Sequence, residues 1–311
     1  MYLNSELDFP LCFQPSSLLF FDQTRPAFAV TSLTNSSKIS FNYKSYRYDI
    51  VCVLFLSINM NIQLNTSDEN IEKIYHSLNL NGMHCIANSV PKNLIDEFRK
   101  KINEYLNENG NRYFSKINPA DEPTSAFSSI KNSRSFVTLI NKLASKALNR
   151  KIEDSEGLNV LRVITGKNAE TQTLQFHYDA YAVTALIPIF IPEGRAAESG
   201  HLVAWLNLRT FRNMQIINMI EKVLIQNRFT RKYLSFLVFR NLEKYMHKMI
   251  PGNIYLFWGY RTLHANLGVN KDFLRSTLLF HGGHVHQDSY LDSIVKKKRD
   301  SSERKNDEAK L

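Results

Sequence analysis

Leu174-Gln-Phe-His-Tyr-Asp179 is the stretch on which the reading of this chain turns. In an extended segment side chains alternate between faces, so Gln175, His177 and Asp179 share one side and Phe176 and Tyr178 the other. An imidazole and a carboxylate two residues apart then face one cavity, which helical spacing at i, i+2 does not allow. The tripeptide alone is weak, because the chain carries a second copy, His286-Gln-Asp288. No histidine lies downstream of that second copy to close a triad. The first copy is followed by His264 and, eleven residues later, by Arg275 in Arg275-Ser-Thr-Leu-Leu-Phe280.

Two imidazoles and one carboxylate can occupy one face of an octahedral Fe(II) and leave three positions open. Those positions suit a bidentate 2-oxo acid together with O2. A basic residue downstream then suits the far carboxylate of the acid. The candidate ligands are therefore His177, Asp179 and His264, with Arg275 as the anion anchor and Arg162 as the alternative anchor.

Bulk properties restrict the setting. With 43% apolar and 22% charged residues, the composition is that of an ordinary globular protein long enough to bury a sizeable core. Three scattered cysteines, Cys12, Cys52 and Cys85, argue against a disulfide framework and for a reducing, cytoplasmic compartment. The longest apolar run, Ile50 to Ile58, is about half of what a membrane-spanning helix needs, so no span is expected.

The net charge of +10 is unevenly placed. Lys296 to Leu311 is a mixed-charge tail of solvated composition. Between Arg209 and Lys248 nine Lys/Arg stand against two Glu, 9 − 2 = +7. That segment reads either as a solvated helix face or as a surface for an anionic substrate. Nucleic acid is not expected as a partner, because Phe229, Tyr233 and Phe236 are sparse among aliphatics, unlike a base-stacking platform.

Along the chain, residues 1–59 are aromatic-rich without sustained periodicity and read as a poorly ordered or non-native extension before Met60. Thr66-Ser-Asp-Glu69 reads as a capping box opening a helix with Ile71, Ile74 and Leu78 on one face and a stop at Asn81-Gly82. Met83 to Ala87 reads as a short strand. A second helix from about Pro91 carries Leu94, Ile95, Phe98, Ile102 and Leu106, and a third spans Phe136 to Leu148. Strands are expected at 158–165, 171–178, 182–191, 201–208, 253–258, 262–269 and 275–284. A helical insertion, 209–249, places Ile216, Ile217, Ile220, Val223 and Leu224 on one face. The fold class is therefore α+β, with a double-stranded β-helix (jelly roll, cupin-like) core over residues 60–290, helices at its N-terminal side, and a charged tail at 291–311.

From Thr66 to Gln287 the chain resembles the phytanoyl-CoA dioxygenase-like branch of the Fe(II)/2-oxoglutarate-dependent oxygenases. The residues that carry the resemblance are Asn81-Gly-Met-His-Cys-Ile86, the 174–179 segment, Gly252-Asn-Ile-Tyr-Leu-Phe257, His264, Asn270 and Arg275. The resemblance implies Fe(II), 2-oxoglutarate and O2 as metal and co-substrates. It implies His177, Asp179 and His264 as both metal ligands and catalytic residues, with Arg275 and Thr277 on the C5 carboxylate. The implied activity is hydroxylation, desaturation or cyclisation at an unactivated C–H bond, with release of succinate and CO2; that the substrate is a small, anionic molecule is an expectation from the basic insertion, not from the resemblance. An intact Asp179 separates the chain from related halogenases.

The chain departs from the family after Gly200-His-Leu-Val203. Ala204-Trp-Leu-Asn-Leu-Arg209 stands where many relatives have Pro-Gly-Ser-His, so the family's usual substrates do not transfer. Gln175 and Tyr181 are candidate contacts near the metal, Trp258 is a core residue, and His76, His84, His201, His247, His281, His284 and His286 read as surface or satisfied core histidines. The competing class is a non-catalytic cupin-like module that binds a metal or ligand; such a barrel has no need of Arg275. An oxygenase acting on nucleic acid or protein is a third option, motivated by the basic insertion.

Overall fold

Helices lead and strands follow. The computed structural model describes residues 62–153, 157–167, 169–212 and 214–286; the expectations for 1–59 and 291–311 lie outside them. Helix α1 (Asp68–Asn81) buries Ile71, Ile74 and Leu78 and ends at Gly82, whose φ of 77° lets its N–H reach the Leu78 carbonyl, as a left-handed cap requires. The capping side chain is Ser67, which accepts from Asn70 N, one residue later than Thr66; Asn65 Oδ1 takes the Ser67 N–H and sets the turn there. α2 (Lys92–Asn109) buries the five apolar residues expected of it. After the short α3 (Ser128–Lys131), α4 (Arg134–Leu148), capped by Ser133, buries Phe136, Leu139, Ile140, Leu143 and Ala144.

Among the described residues there are nine strands: β1 (Met83–Ile86), β2 (Phe114–Ile117), β3 (Leu158–Ile164), β4 (Tyr181–Phe190), β5 (Leu202–Trp205), β6 (Met246–His247), β7 (Ile254–Phe257), β8 (Leu263–Asn266) and β9 (Arg275–His284). They form two antiparallel sheets, one ordered β1-β7-β4-β9-β3-β2 and the other β6-β5-β8. β4 and β9 are the long central pair, with Thr184 opposite His281 and Ala185 opposite Phe280. α2 and α4 cover one face of the large sheet and share its core with Val183, Ala185, Leu278 and Phe280. On the other face, Leu186 and Phe257 of the large sheet meet Leu202 and Ala204 of the small one. Two layers of strands therefore enclose an interior.

β2 and β6 lie outside the expected strands, in what read as a loop and as the helical insertion, and two further segments differ from the sequence expectation. Residues 171–178 are not a continuous strand: Glu170–Gln172 is a 3-10 turn, Leu174 has a φ of 52°, and a single bridge joins His177 to His264. Leu174 N reaches Asn266 O at 2.9 Å, and His177 and His264 exchange both backbone bonds at 3.0 Å, so the segment follows the edge of β8 without forming a regular ladder. The insertion is helical as expected, with α5 (Gln215–Gln226), α6 (Arg228–Arg240) and α7 (Leu242–Tyr245). Its apolar face is turned outward, however: Ile216, Ile220, Val223 and Leu224 are exposed. Among the described residues no helix is long and apolar enough to cross a membrane.

Candidate metal centre

The bridge between residues 177 and 264 brings two imidazoles side by side, and Asp179 follows on the same face. Its backbone N–H donates to Gly259 O at 3.1 Å. His177 Nε2 lies 3.7 Å and His264 Nε2 3.8 Å from Asp179 Oδ1. The three ligand atoms lie within 4.8 Å of one another, a spacing that converges on a single ion with ordinary bonds of about 2.0–2.2 Å.

Both rings are oriented for this role. His177 Nδ1 sits 2.8 Å from Gln175 O and His264 Nδ1 3.0 Å from Thr262 O. A carbonyl only accepts, so each Nδ1 carries the proton and each Nε2 keeps its lone pair free for a metal. Asp179 is divided in the same way. Oδ1 faces the imidazoles, while Oδ2 accepts from Thr184 Oγ1 at 2.5 Å. The Thr184 hydroxyl has spent its proton on Asp179 and so accepts from His281 Nδ1 at 3.0 Å. A side chain at Gly259 would overlap Thr184 Oγ1 and Asp179 Oδ2, which is why the chain passes there as glycine.

Electrostatics agree with a neutral-imidazole, ionised-carboxylate set. Burial, and then the neighbouring His264, push the His177 imidazole down to about 4. Burial alone would raise the Asp179 carboxyl, but His264, His281, His177 and the Thr184 bond together hold it well below the usual carboxylate range.

The ligands stand where two cavities meet. One, of about 210 Å³, runs between the sheets and is lined by Arg162, Asn266, Arg275 and Thr277 as well as by the triad. Arg275 is 3% exposed. Its Nε donates to Gly200 O at 2.6 Å and its Nη1 reaches Thr277 Oγ1 at 3.5 Å. Among the described residues no carboxylate pairs with it. Burial, with Arg162 beside it, lowers the guanidinium to about 9. Gly200, at a φ of 63°, leaves room for the Arg275 stem, since a Cβ there would lie 2.6 Å from Arg275 Cδ.

The second cavity, of about 200 Å³, also touches His177 and Asp179 and is closed by Arg209, Tyr260 and the inner side of α5 through Asn218, Lys222 and Ile225. Arg209 lies between the rings of Tyr178 and Tyr260, 3.8 and 4.0 Å from their centroids, and pairs with Glu221 at 2.5 Å. Arg212 pairs with the same carboxylate. Part of the insertion's positive charge is thus neutralised internally.

The structure brings together His177, Asp179, His264, Arg275, Thr277 and Arg162 around one interior. Gln175 is instead exposed and bonded to Thr171 O, because the turn at Leu174 directs it outward. Tyr181 packs on His281 and His284 and lines neither cavity. Trp258 is fully buried and donates to Asn79, a core residue as expected. Thr184 and His281 were not singled out by the sequence. They meet Asp179 only through the register of β4 against β9, which no local pattern encodes.

No family model matches the chain, and no curated protein sequence matches it. Among solved structures it is similar to a Pseudomonas putida prolyl-4-hydroxylase, at 10% identity and a TM-score of 0.43, over 69% of this chain and 98% of that one. It is similar also to the non-heme α-ketoglutarate-dependent carbocyclase SnoK (12%, TM-score 0.43, 71% and 90%) and epimerase SnoN (11%, TM-score 0.45, 70% and 84%), both from nogalamycin biosynthesis. At this distance the chain's own residues have to carry any functional reading.

Proposed function

We propose that this chain is a Fe(II)- and 2-oxoglutarate-dependent dioxygenase built on a double-stranded β-helix. The strand order supports the fold: β3-β9-β4-β7 in one layer faces 177-β8-β5-β6 in the other, two four-stranded layers joined as in a jelly roll, with the chain changing layer at every step from β3 to β9 except between β5 and β6. The observation that carries the function is Arg275. A buried guanidinium with no carboxylate partner among the described residues, lining the same cavity as the triad, is a site prepared for an anion that arrives with the metal.

His177, Asp179 and His264 would hold Fe(II), and Arg275 with Thr277 would hold the C5 carboxylate of 2-oxoglutarate. When bound, the iron, the 2-oxo acid and O2 supply oxidation of an unactivated C–H bond with release of succinate and CO2. The protein orients the imidazoles through their carbonyl partners, fixes the carboxylate through Thr184, and adds apolar wall to the inter-sheet cavity through Leu186, Leu202 and Phe257. The substrate would enter the second cavity, where Lys222 favours a small molecule of anionic character. The narrower likeness to the phytanoyl-CoA dioxygenase branch rests on sequence motifs, and a cytoplasmic setting rests on cysteine usage. A non-catalytic metal-binding module leaves the cost of Arg275 unexplained.

The test is an anaerobic titration with Fe(II) and 2-oxoglutarate. A weak visible metal-to-ligand charge-transfer band should appear only when both are present. Fe(II) binding without the band, or no stoichiometric Fe(II) binding, would remove the proposal.

A further inference from the structure

We propose that α5 and α6 form a docking surface that lies in the headgroup plane of an anionic lipid bilayer. In α5 the apolar residues Ile216, Met219, Ile220, Val223 and Leu224 recur at i, i+3, i+4, i+7 and i+8, a single stripe. On a helix of a globular protein that stripe faces the core. Here it faces outward, with Val223 70% and Ile216 64% exposed.

The opposite side of α5 explains this inversion, because it is polar and fixed to the protein. Asn218 donates to Tyr260 Oη at 2.8 Å, and Glu221 pairs with Arg209 and Arg212. The helix is therefore held by Asn218, Glu221 and Ile225 on its inner side, with the apolar stripe on its other side exposed. α6 continues the pattern with aromatic residues: Phe229, Tyr233 and Phe236, spaced i, i+4, i+7, are 81%, 61% and 58% exposed.

An apolar surface of this extent marks an interaction site, and its charge selects the partner. Arg228, Lys232 and Arg240 stand exposed on α6 among the aromatics. Apolar and aromatic residues interleaved with Lys and Arg, on helices too short to span, are the signature of an in-plane membrane helix attracted to anionic headgroups. α5 has 12 residues and α6 has 13, against about 20 for a span. A second copy fits less well, since two surfaces of like positive charge would face each other. The docking does not rest on the oxygenase reading. Only its consequence does: α5 also walls the cavity beside His177 and Asp179, so a docked bilayer would bring amphiphilic molecules to the metal centre.

The experiment is co-sedimentation of the full-length, metal-free protein with phosphatidylcholine vesicles, with and without phosphatidylserine. Because metal-free protein is used, its result is separate from the outcome of the iron titration. Binding to the anionic vesicles should be on the order of tenfold tighter or more, and should weaken with added salt. The double variant Ile220→Glu with Val223→Glu, both positions exposed and outside the cavities, should keep its Tm and lose roughly tenfold or more of the binding. Absence of binding to anionic vesicles, equal binding to both compositions, or binding indifferent to the double substitution would each overturn the proposal. So would a dimer, seen by light scattering without vesicle binding, that the double substitution dissociates; the stripe would then be a self-association surface.

Discussion

Replacing Arg275 with methionine should stabilise the metal-free protein while abolishing its response to 2-oxoglutarate. The side chain is 3% exposed and has no anionic partner among the described residues. Its guanidinium is lowered from the ordinary arginine range to about 9, through burial first and the nearby Arg162 second. At about 1.4 kcal/mol per pH unit that is a cost of roughly 5 kcal/mol for holding the charge inside. The sign follows from linkage. Below about pH 9 the cation is present in both folded and unfolded chains, so the cost is felt in full at neutral pH. It lapses only as pH rises above about 9, where the folded state gives up the proton before the unfolded chain does. Methionine keeps the length of the stem but removes the donor to Gly200 O, which costs about 1–3 kcal/mol. The net gain is then about 2–4 kcal/mol, which corresponds to a rise in Tm on the order of 5–10 °C. Thermal denaturation of both proteins, with and without 2-oxoglutarate, is the assay. Wild type should rise in Tm as the co-substrate supplies the missing anion; the variant should start higher and not move. A variant less stable than wild type, or one that still responds to 2-oxoglutarate, would refute the argument that Arg275 is a strained anion site.

Three further outcomes are expected. His177→Ala, Asp179→Ala and His264→Ala should each lose stoichiometric Fe(II) while retaining a cooperative melt, because the site lies inside layers packed independently of it; metal analysis of each purified variant decides this. Gly259→Ala should weaken metal binding by about 10–100-fold, the range for groups that orient ligands, because its methyl overlaps Asp179 Oδ2 and Thr184 Oγ1; an unchanged dissociation constant for Fe(II) would show that the contact does not matter. The metal-free protein should lose stability as pH falls from 6.5 to about 4. Over that window the unfolded chain takes a proton at residue 177 that the folded chain resists, and depressed Asp179 acts in the same direction below its ordinary 3.8. Acid-titrated denaturation of wild type and His177→Gln should show a shallower slope in the variant.

The sequence by itself determined what depends on local repetition. The buried stripes of α1 and α2 were legible because a helix repeats every 3.6 residues, and the Gly82 stop because a left-handed cap favours glycine. His177, Asp179, His264 and Arg275 stood out as candidates for a related reason: their types and order fit a metal and a dicarboxylate, whatever lies between them. The tertiary structure decided which side of each element faces what. The stripe on α5 is periodic in the sequence, which says nothing of where it points; Asn218 and Glu221 find Tyr260, Arg209 and Arg212 only when distant segments meet, and those polar contacts turn the stripe outward. Thr184 and His281 orient Asp179 through a register between strands about a hundred residues apart in sequence, and Gln175 leaves the site because the backbone turns at Leu174. Periodicity fixes the faces of an element from its own residues, whereas the direction each face points is set by the partners that folding brings to it.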